Sequence, residues 1–472
     1  MIDILATIYL LIAMGLSVYG LLGLLTLFLY WRHRRETFPC PPIPVELPTV
    51  TVQLPIFNEQ FVIERLIETA VSLQYPPTKL QIQVVDDSTD ATTDRAAQLV
   101  TYYNKEGVNI TLVHRDNQTG YKAGALKAAL QSATGEFIAI FDADFAPKSD
   151  FLLQTIPHFH DAPQLGMIQA RWGHLNGGES ALTAVQAIAL DKHFAMEQTV
   201  RHRANLFPKF NGAAGVWRRS CMEDAGGWEA DTVCEDLCLS TRAILKGWEF
   251  RFLNDVVAPA ELPTSIAAYK NQQARWAKGS SQCLIKFSRP ILADRKYSPM
   301  ARLYALLSMS AYNTHLLILA LLLLQIPLIA LNYRFSPKML LFTIAGIGQP
   351  LLFILAQQVL YADWRRRLRH FPTMVLVAIG IGPSTGRAIV QAIVGKEHPF
   401  IRTPKLGEGK RPFTPYQFPF DWIVFVELFL AVYALIGIAL AIYHKNFGPL
   451  FFLITCLLGM GYVAYLTLQE LR

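Results

Sequence analysis

Apolar runs too long for an ordinary core bracket a single polar block in this chain, and that arrangement narrows what it can fold into. Residues 4–30 are nearly all apolar. As a helix rising about 1.5 Å per residue, they outreach a bilayer core of about 30 Å. Four more such runs follow the polar block, at 303–331, 339–361, 422–443 and 449–468. With 52% hydrophobic and only 17% charged residues among 472, the chain departs from soluble composition. Because the excess is clustered, it reads as membrane spans. The first run lacks a basic stretch before it and is longer than a signal segment, so it reads as a retained anchor.

Basic residues crowd beside the spans, at Arg32-His33-Arg34-Arg35, at Arg365-Arg366-Arg367-Leu368-Arg369 and through 405–411. Such clusters mark cytoplasmic flanks and touch lipid headgroups. They predict five crossings, with the polar block and the carboxyl terminus in the cytoplasm. They also account for the net charge of +7, and no aromatic-interleaved basic strip points to a nucleic-acid partner. The apolar stretch 373–394 carries Pro383, Ser384 and Arg387 and is basic on both sides. It is expected to lie in the interface or re-enter. Residues 284–300, with Lys286, Arg289, Arg295 and Lys296, predict a basic surface helix on the headgroups. Six scattered cysteines without a C-x-x-C pair read as small buried hydrophobes in a reducing compartment.

From about residue 48 to 255, short β-rich runs alternate with helical patterns. That alternation predicts βαβ units and a mainly parallel sheet covered by helices, with ligands at the carboxyl ends of the strands. Asn58 is expected to cap the helix after the first strand. Asp86 and Asp87 end one predicted strand, and Asp142 and Asp144 end another. Two apart on extended chain, the last two point the same way. They can share an oxygen-seeking cation such as Mg2+ or Mn2+. His193 and Glu197 read as a structural pair one helical turn apart.

Seven motifs stand in order: Pro55-Ile-Phe-Asn-Glu59, Asp86-Asp87-Ser88, Gly120-Tyr-Lys-Ala-Gly124, Asp142-Ala-Asp144, Asn211-Gly212, Cys234-Glu-Asp236 and Gln272-Gln-Ala-Arg-Trp276. The set resembles that of inverting family-2 glycosyltransferases. Among these it is similar to processive membrane enzymes: cellulose synthase, and more closely the cellulose-synthase-like A and C proteins. The resemblance implies a GT-A type α/β domain, mainly parallel, embedded among about five transmembrane helices plus interfacial helices. The corresponding layout is an anchor at 1–35, a cytosolic domain at 36–283, an interfacial helix at 284–300 and a membrane region at 301–472.

By that resemblance, Asp236, with Glu235 beside it, is the general base. Asp86, Asp87, Glu59, Asn211 and Gly212 bind substrate, and Lys122 approaches the donor phosphates. Asp144 and Asp142 hold Mg2+ or Mn2+, and Gln272, Gln273, Arg275 and Trp276 meet the diphosphate and the acceptor sugar. The segment around Thr403 and Lys405, within 396–412, resembles a gating loop that reaches the nucleotide. Cys234 stands where the family has threonine, which removes a hydroxyl from that loop.

The implied activity is polymerisation of a β-1,4-linked mannan, glucomannan or glucan from GDP-mannose or UDP-glucose. The growing polysaccharide would cross a plasma or inner membrane through the enzyme's own helices. Transfer of one sugar to a membrane lipid remains open, as does a non-catalytic role in an export complex.

Overall fold

The computed structural model describes residues 2–334, 336, 339–396, 407 and 419–471. Seven strands make one sheet: β1 (Val50–Ile56), β2 (Leu80–Asp86), β3 (Ile110–His114), β4 (Phe137–Ile140), β5 (Leu165–His174), β6 (Gly215–Arg218) and β7 (Glu249–Ala260). Their order is β3-β2-β1-β4-β6-β5-β7, and β6 alone runs antiparallel to its neighbours. The chain winds outward from β1 through β2 to β3, then returns to place β4 on the other side of β1. Such a reversal leaves a crevice beyond the strand ends. Ile56, Asp86 and His114 lie in register there, so the acidic residues after β2 and β4 open onto one rim.

Strands β1 and β2 are buried along almost their whole length, as expected where helices cover both faces. Their alternate polar residues pair across the strands, Thr51 with Gln81 at 2.8 Å and Gln53 with Gln83 at 3.0 Å. One core packs β1, β2 and β4 against the helix Ile63–Val71. A second core lies on the opposite face and is shared with the apolar helices. It contains Met167 and Trp217 of the sheet together with Leu29, Phe287 and Tyr304. Soluble block and apolar helices are therefore joined through hydrophobic packing.

Among the described residues, four helices are long and apolar enough to cross a membrane: Ile2–His33, Asn313–Ala330, Ile423–Tyr443 and Leu450–Gln469. The run expected at 303–331 is divided. Residues Pro299–Met309 form a separate helix in the second core, and a turn at 310–312 precedes Asn313–Ala330. The run at 339–361 yields a shorter apolar helix, Ile344–Leu360, broken between Gly346 and Gly348. Trp364–Gly380 and Gly382–Val394 meet at a bend of 42°, the geometry of a broken span or a re-entrant segment.

Residues 284–293 do not form their own surface helix. They continue the 28-residue helix Ile266–Ala293. Lys286, expected at headgroups, instead bonds Glu229 at 2.7 Å and Asp231 at 2.6 Å.

Candidate active site

The end of β2 is a closed knot of polar contacts. Asp86 is fully buried. Its carboxylate accepts from the Ser88 amide (2.9 Å) and the Thr93 hydroxyl (2.7 Å), and pairs with His114 (2.8 Å). Asp87 takes a two-pronged bond from Arg115, with Nε at 2.7 Å and Nη2 at 2.5 Å. Arg115 also donates to the carbonyls of Thr119 and Tyr121, tying this knot to the start of the helix Tyr121–Leu130. Asn58 adopts a left-handed φ of 56° and bonds the Thr89 amide. It therefore fastens two loops and does not cap the following helix, whose N-cap is Val62. Glu59 is buried, and its carbonyl accepts the Val62 and Ile63 amides.

Lys122, on the first turn of the helix Tyr121–Leu130, pairs with Asp142 and donates to the Gly212 carbonyl at 3.0 Å. Glu235 lies 4.0 Å from the same ammonium. Burial pulls Lys122 down, but Asp142, Glu235 and Asp236 outweigh it and hold its pKa above the usual lysine value. Gly212 has φ of 87°, and a Cβ there would stand 3.1 Å from Asp236 Oδ2 and 3.7 Å from Lys122 Nζ. Only a residue without a side chain suits this left-handed, crowded position. Asp142 and Asp144 follow β4 in a tight turn rather than on extended chain, with the Phe145 amide bonded to the Asp142 carbonyl. Both stay half-buried, while Phe141, Ala143 and Phe145 turn inward, so the two carboxylates still share a side.

Glu235 and Asp236 open the helix Glu235–Lys246, where the positive end of the backbone dipole favours acids. Burial nevertheless raises both, Glu235 to about 7. The Thr232 hydroxyl donates to the Cys234 carbonyl at 3.3 Å, so a neighbouring residue supplies a hydroxyl to this loop. The helix Ile266–Ala293 crosses directly over it. A Cβ on Gly279 would fall 2.2 Å from Cys234 Sγ and 2.8 Å from the Cys234 amide nitrogen, so the glycine permits this approach. It brings Arg275 to the acidic cluster: burial lowers Arg275, while Glu235, Asp142 and Asp144 act to raise it.

Asn211 is held on three sides. Its amide nitrogen bonds Gln169 (2.9 Å), and its side chain accepts from Gln198 (2.5 Å) and donates to His193 Nε2 (2.9 Å). His193 therefore carries its proton on Nδ1, facing Glu197 at 3.0 Å. Burial pushes its pKa down to about 4. The expected His193–Glu197 structural pair is present, and it supports Asn211 and Gly212.

A cavity of about 480 Å3 runs from Asp236, Gln272 and Trp276 toward the apolar helices, ending among Tyr19, Tyr304 and His315. Gln273 is buried at its side and accepts from the Tyr312 hydroxyl at 2.9 Å. Glu235, Asp236, Lys122, Asp142, Gly212 and Arg275 thus converge. Asp87 reaches the group through Arg115 and the Tyr121 carbonyl. Thr403 and Lys405 lie outside the described residues.

Arg115 and His114 were missed from sequence because their carboxylate partners stand 28 positions away. In-register pairing of β2 with β3 brings them together. Lys209 and Gly279 were missed because what they face, Asp236 and Cys234, lies far away in the sequence.

Asp142 and Asp144 offer oxygen donors alone, which suits Mg2+ or Mn2+. Such ions take one or two carboxylates and complete their shell with phosphate and water. Lys122 engages Asp142, and Asp142 and Asp144 together would hold such an ion. Glu229, Asp231 and Cys238 also group closely enough for a metal, but the Lys286 ammonium sits among them, so they form an ion-pair cluster.

Residues 48–279 match the family described as glycosyltransferase like family 2. They form a family 2 glycosyltransferase domain. Glucomannan 4-beta-mannosyltransferase 7 of Arabidopsis thaliana is 39% identical over 285 residues, covering 60% of this chain and 51% of that protein. Glucomannan 4-beta-mannosyltransferase 1 of Cyamopsis tetragonoloba is 41% identical over 261 residues, covering 54% and 50%. The chain spans about half the length of these curated relatives. PcManGT, a mannosyltransferase from Pyrobaculum calidifontis solved with GDP-Man and Mn2+, aligns with a TM-score of 0.57 at 24% identity, over 82% of this chain and 99% of that one. That likeness establishes the fold, a GT-A-like domain with a mostly parallel sheet.

Proposed function

We propose that the chain is an inverting, processive glycosyltransferase that extends a β-1,4-linked mannan or glucomannan from GDP-mannose and feeds it into the membrane through its own helices. One observation carries this reading: the Asp236 carboxylate stands at the head of a cavity that leads from the glycosyltransferase domain to the apolar helices. The mannosyltransferase relatives support mannose as the transferred sugar.

An acceptor hydroxyl in that cavity gives its proton to Asp236 as its oxygen bonds the anomeric carbon of the donor. On the opposite face the bond from that carbon to the diphosphate breaks, so the anomeric centre inverts in one displacement. Lys122 and Arg275 stand ready to stabilise the charge that develops on the leaving group. Mg2+ or Mn2+ at Asp144 supplies further positive charge to the diphosphate when bound. Trp276 offers a flat apolar face to a pyranose ring, which suits a chain end that must later slide. The basic cluster after the first helix supports a cytoplasmic active site.

The purified chain is to be incubated with labelled GDP-mannose and with labelled UDP-glucose, the product sized, and the polymer digested with β-1,4-mannanase and β-1,4-glucanase. A mannanase-sensitive polymer is the expected result. A product one sugar larger than a lipid acceptor would replace this reading with glycolipid synthesis.

A further inference from the structure

Besides Lys192, which pairs with Glu197, the cavity wall that holds Asp236 carries two cations that the reaction above leaves unused. Lys209, between the helix Thr199–Arg203 and β6, lines the cavity with Asp236 and Trp276. Its carbonyl accepts from Gln198, whereas its ammonium has no hydrogen-bond or ion-pair partner among the described residues. Arg201 lines the same cavity at 3% exposure. Its Nη atoms make long contacts of 3.4 Å with Gln198 and Glu197, and its buried Nε has no partner. The buried, unmet Arg201 Nε costs about 1–3 kcal/mol, and the unpartnered Lys209 ammonium lies on the cavity wall, so this wall offers cationic donors to a ligand.

The surroundings define that ligand's chemistry. Glu197, paired with Lys192 at 2.5 Å, and Asp236 line the same cavity and offset two of its three cations, so the wall carries little net charge, which favours a neutral, oxygen-rich molecule over a phosphate or a uronate. Trp172, Trp276, Tyr304 and Tyr312 supply aromatic walls, the counterpart of the C–H faces of sugar rings. We infer that Lys209 and Arg201 form the binding site for the acceptor end of a neutral β-linked glycan. Lys209 holds an oxygen of the sugar whose attacking hydroxyl faces Asp236, and Arg201 holds the next sugar. The inference rests on the proposed glycosyltransfer and adds the residues that recognise its acceptor.

Burial draws the Lys209 pKa down to about 8, and Arg201 acts in the same direction, while Glu197, Asp236 and Cys234 act against it. Of the other groups facing it, His193 is neutral and the Cys234 thiol is pushed well up by burial. A change in acceptor binding near pH 8 therefore belongs to Lys209.

The test uses the purified full chain, a nucleotide-sugar donor and a short soluble β-1,4-manno-oligosaccharide. Wild type, Lys209→Met, Lys209→Arg and Asp236→Asn are compared for oligosaccharide KM, donor KM and calorimetric binding of the nucleoside diphosphate. Lys209→Met is expected to raise oligosaccharide KM about tenfold or more, the loss of a charged hydrogen bond, with diphosphate binding unchanged. Lys209→Arg restores most of it. Wild-type oligosaccharide KM is expected to rise above about pH 8, a rise absent in Lys209→Arg.

The inference is overturned by a wild-type oligosaccharide KM in Lys209→Met, by the pH rise persisting in Lys209→Arg, by diphosphate binding failing with Lys209→Met, or by wild type failing to use the oligosaccharide. Turnover by Asp236→Asn would instead defeat the proposed reaction. An inactive Asp236→Asn beside a normal Lys209→Met defeats this inference alone.

Discussion

The two ends of the cleft are built on opposite principles. At the β2 end, every charge has its partner: Asp86 has Thr93 and His114, and Asp87 has both prongs of Arg115. At the Asp236 end, donors stand open and pKa values are displaced, with Glu235 raised to about 7 and Lys209 lowered to about 8. Saturated pairs build a rigid frame for a ligand, whereas open and displaced groups retain capacity to move protons and bind. Damage at the first end should therefore appear as lost stability, and damage at the second as lost rate.

Asp236→Asn removes the proton acceptor while keeping the shape. Transfer is expected to fall roughly a hundredfold to ten-thousandfold, with diphosphate binding by calorimetry nearly unchanged. Unchanged turnover would remove Asp236 from the mechanism. Arg115→Ala leaves Asp87 buried without its cation. The soluble domain should lose about 3–5 kcal/mol, read in detergent by urea titration. If stability holds and only kcat falls, the contrast between the two ends collapses.

Gly279→Ala forces a methyl into Cys234 and shifts the helix that bears Arg275. A misplacement of this kind costs about a hundredfold in kcat. Cys234→Gly in the same chain should recover part of the loss; no recovery would mean that the helix is not seated on Cys234. The smallest expected effect concerns pH. Glu235 keeps its proton to about 7 in the fold, against a usual 4.5. Between those values the unfolded chain binds fewer protons than the folded one, so stability falls as pH rises. The melting temperature of Glu235→Gln should decline less across that window than that of wild type.

Much of this was legible beforehand because it depends on local pattern. Asp86 and Asp142 stand at or just past strand ends that short-range periodicity predicts, whereas Asp236 was marked by its motif alone. The division of 303–331 was not legible. Hydropathy reports only that residues are apolar, and Ala301, Tyr304, Ala305 and Met309 of the helix Pro299–Met309 satisfy that by joining the second core. The fate of 284–300 was hidden likewise: Lys286 resembles a headgroup lysine until Glu229 and Asp231, more than fifty positions earlier, come within 2.7 Å.

The amino-acid order alone determined the alternation of strand and helix, the apolar helices and the position of each acid along the chain, since these follow from spacing over a few residues. Tertiary structure alone decided which charges are answered and which stay open. Asp87 meets Arg115 only when the sheet pairs, and Asp236 meets Gly212 and the charge of Lys122 only when their separate segments fold together.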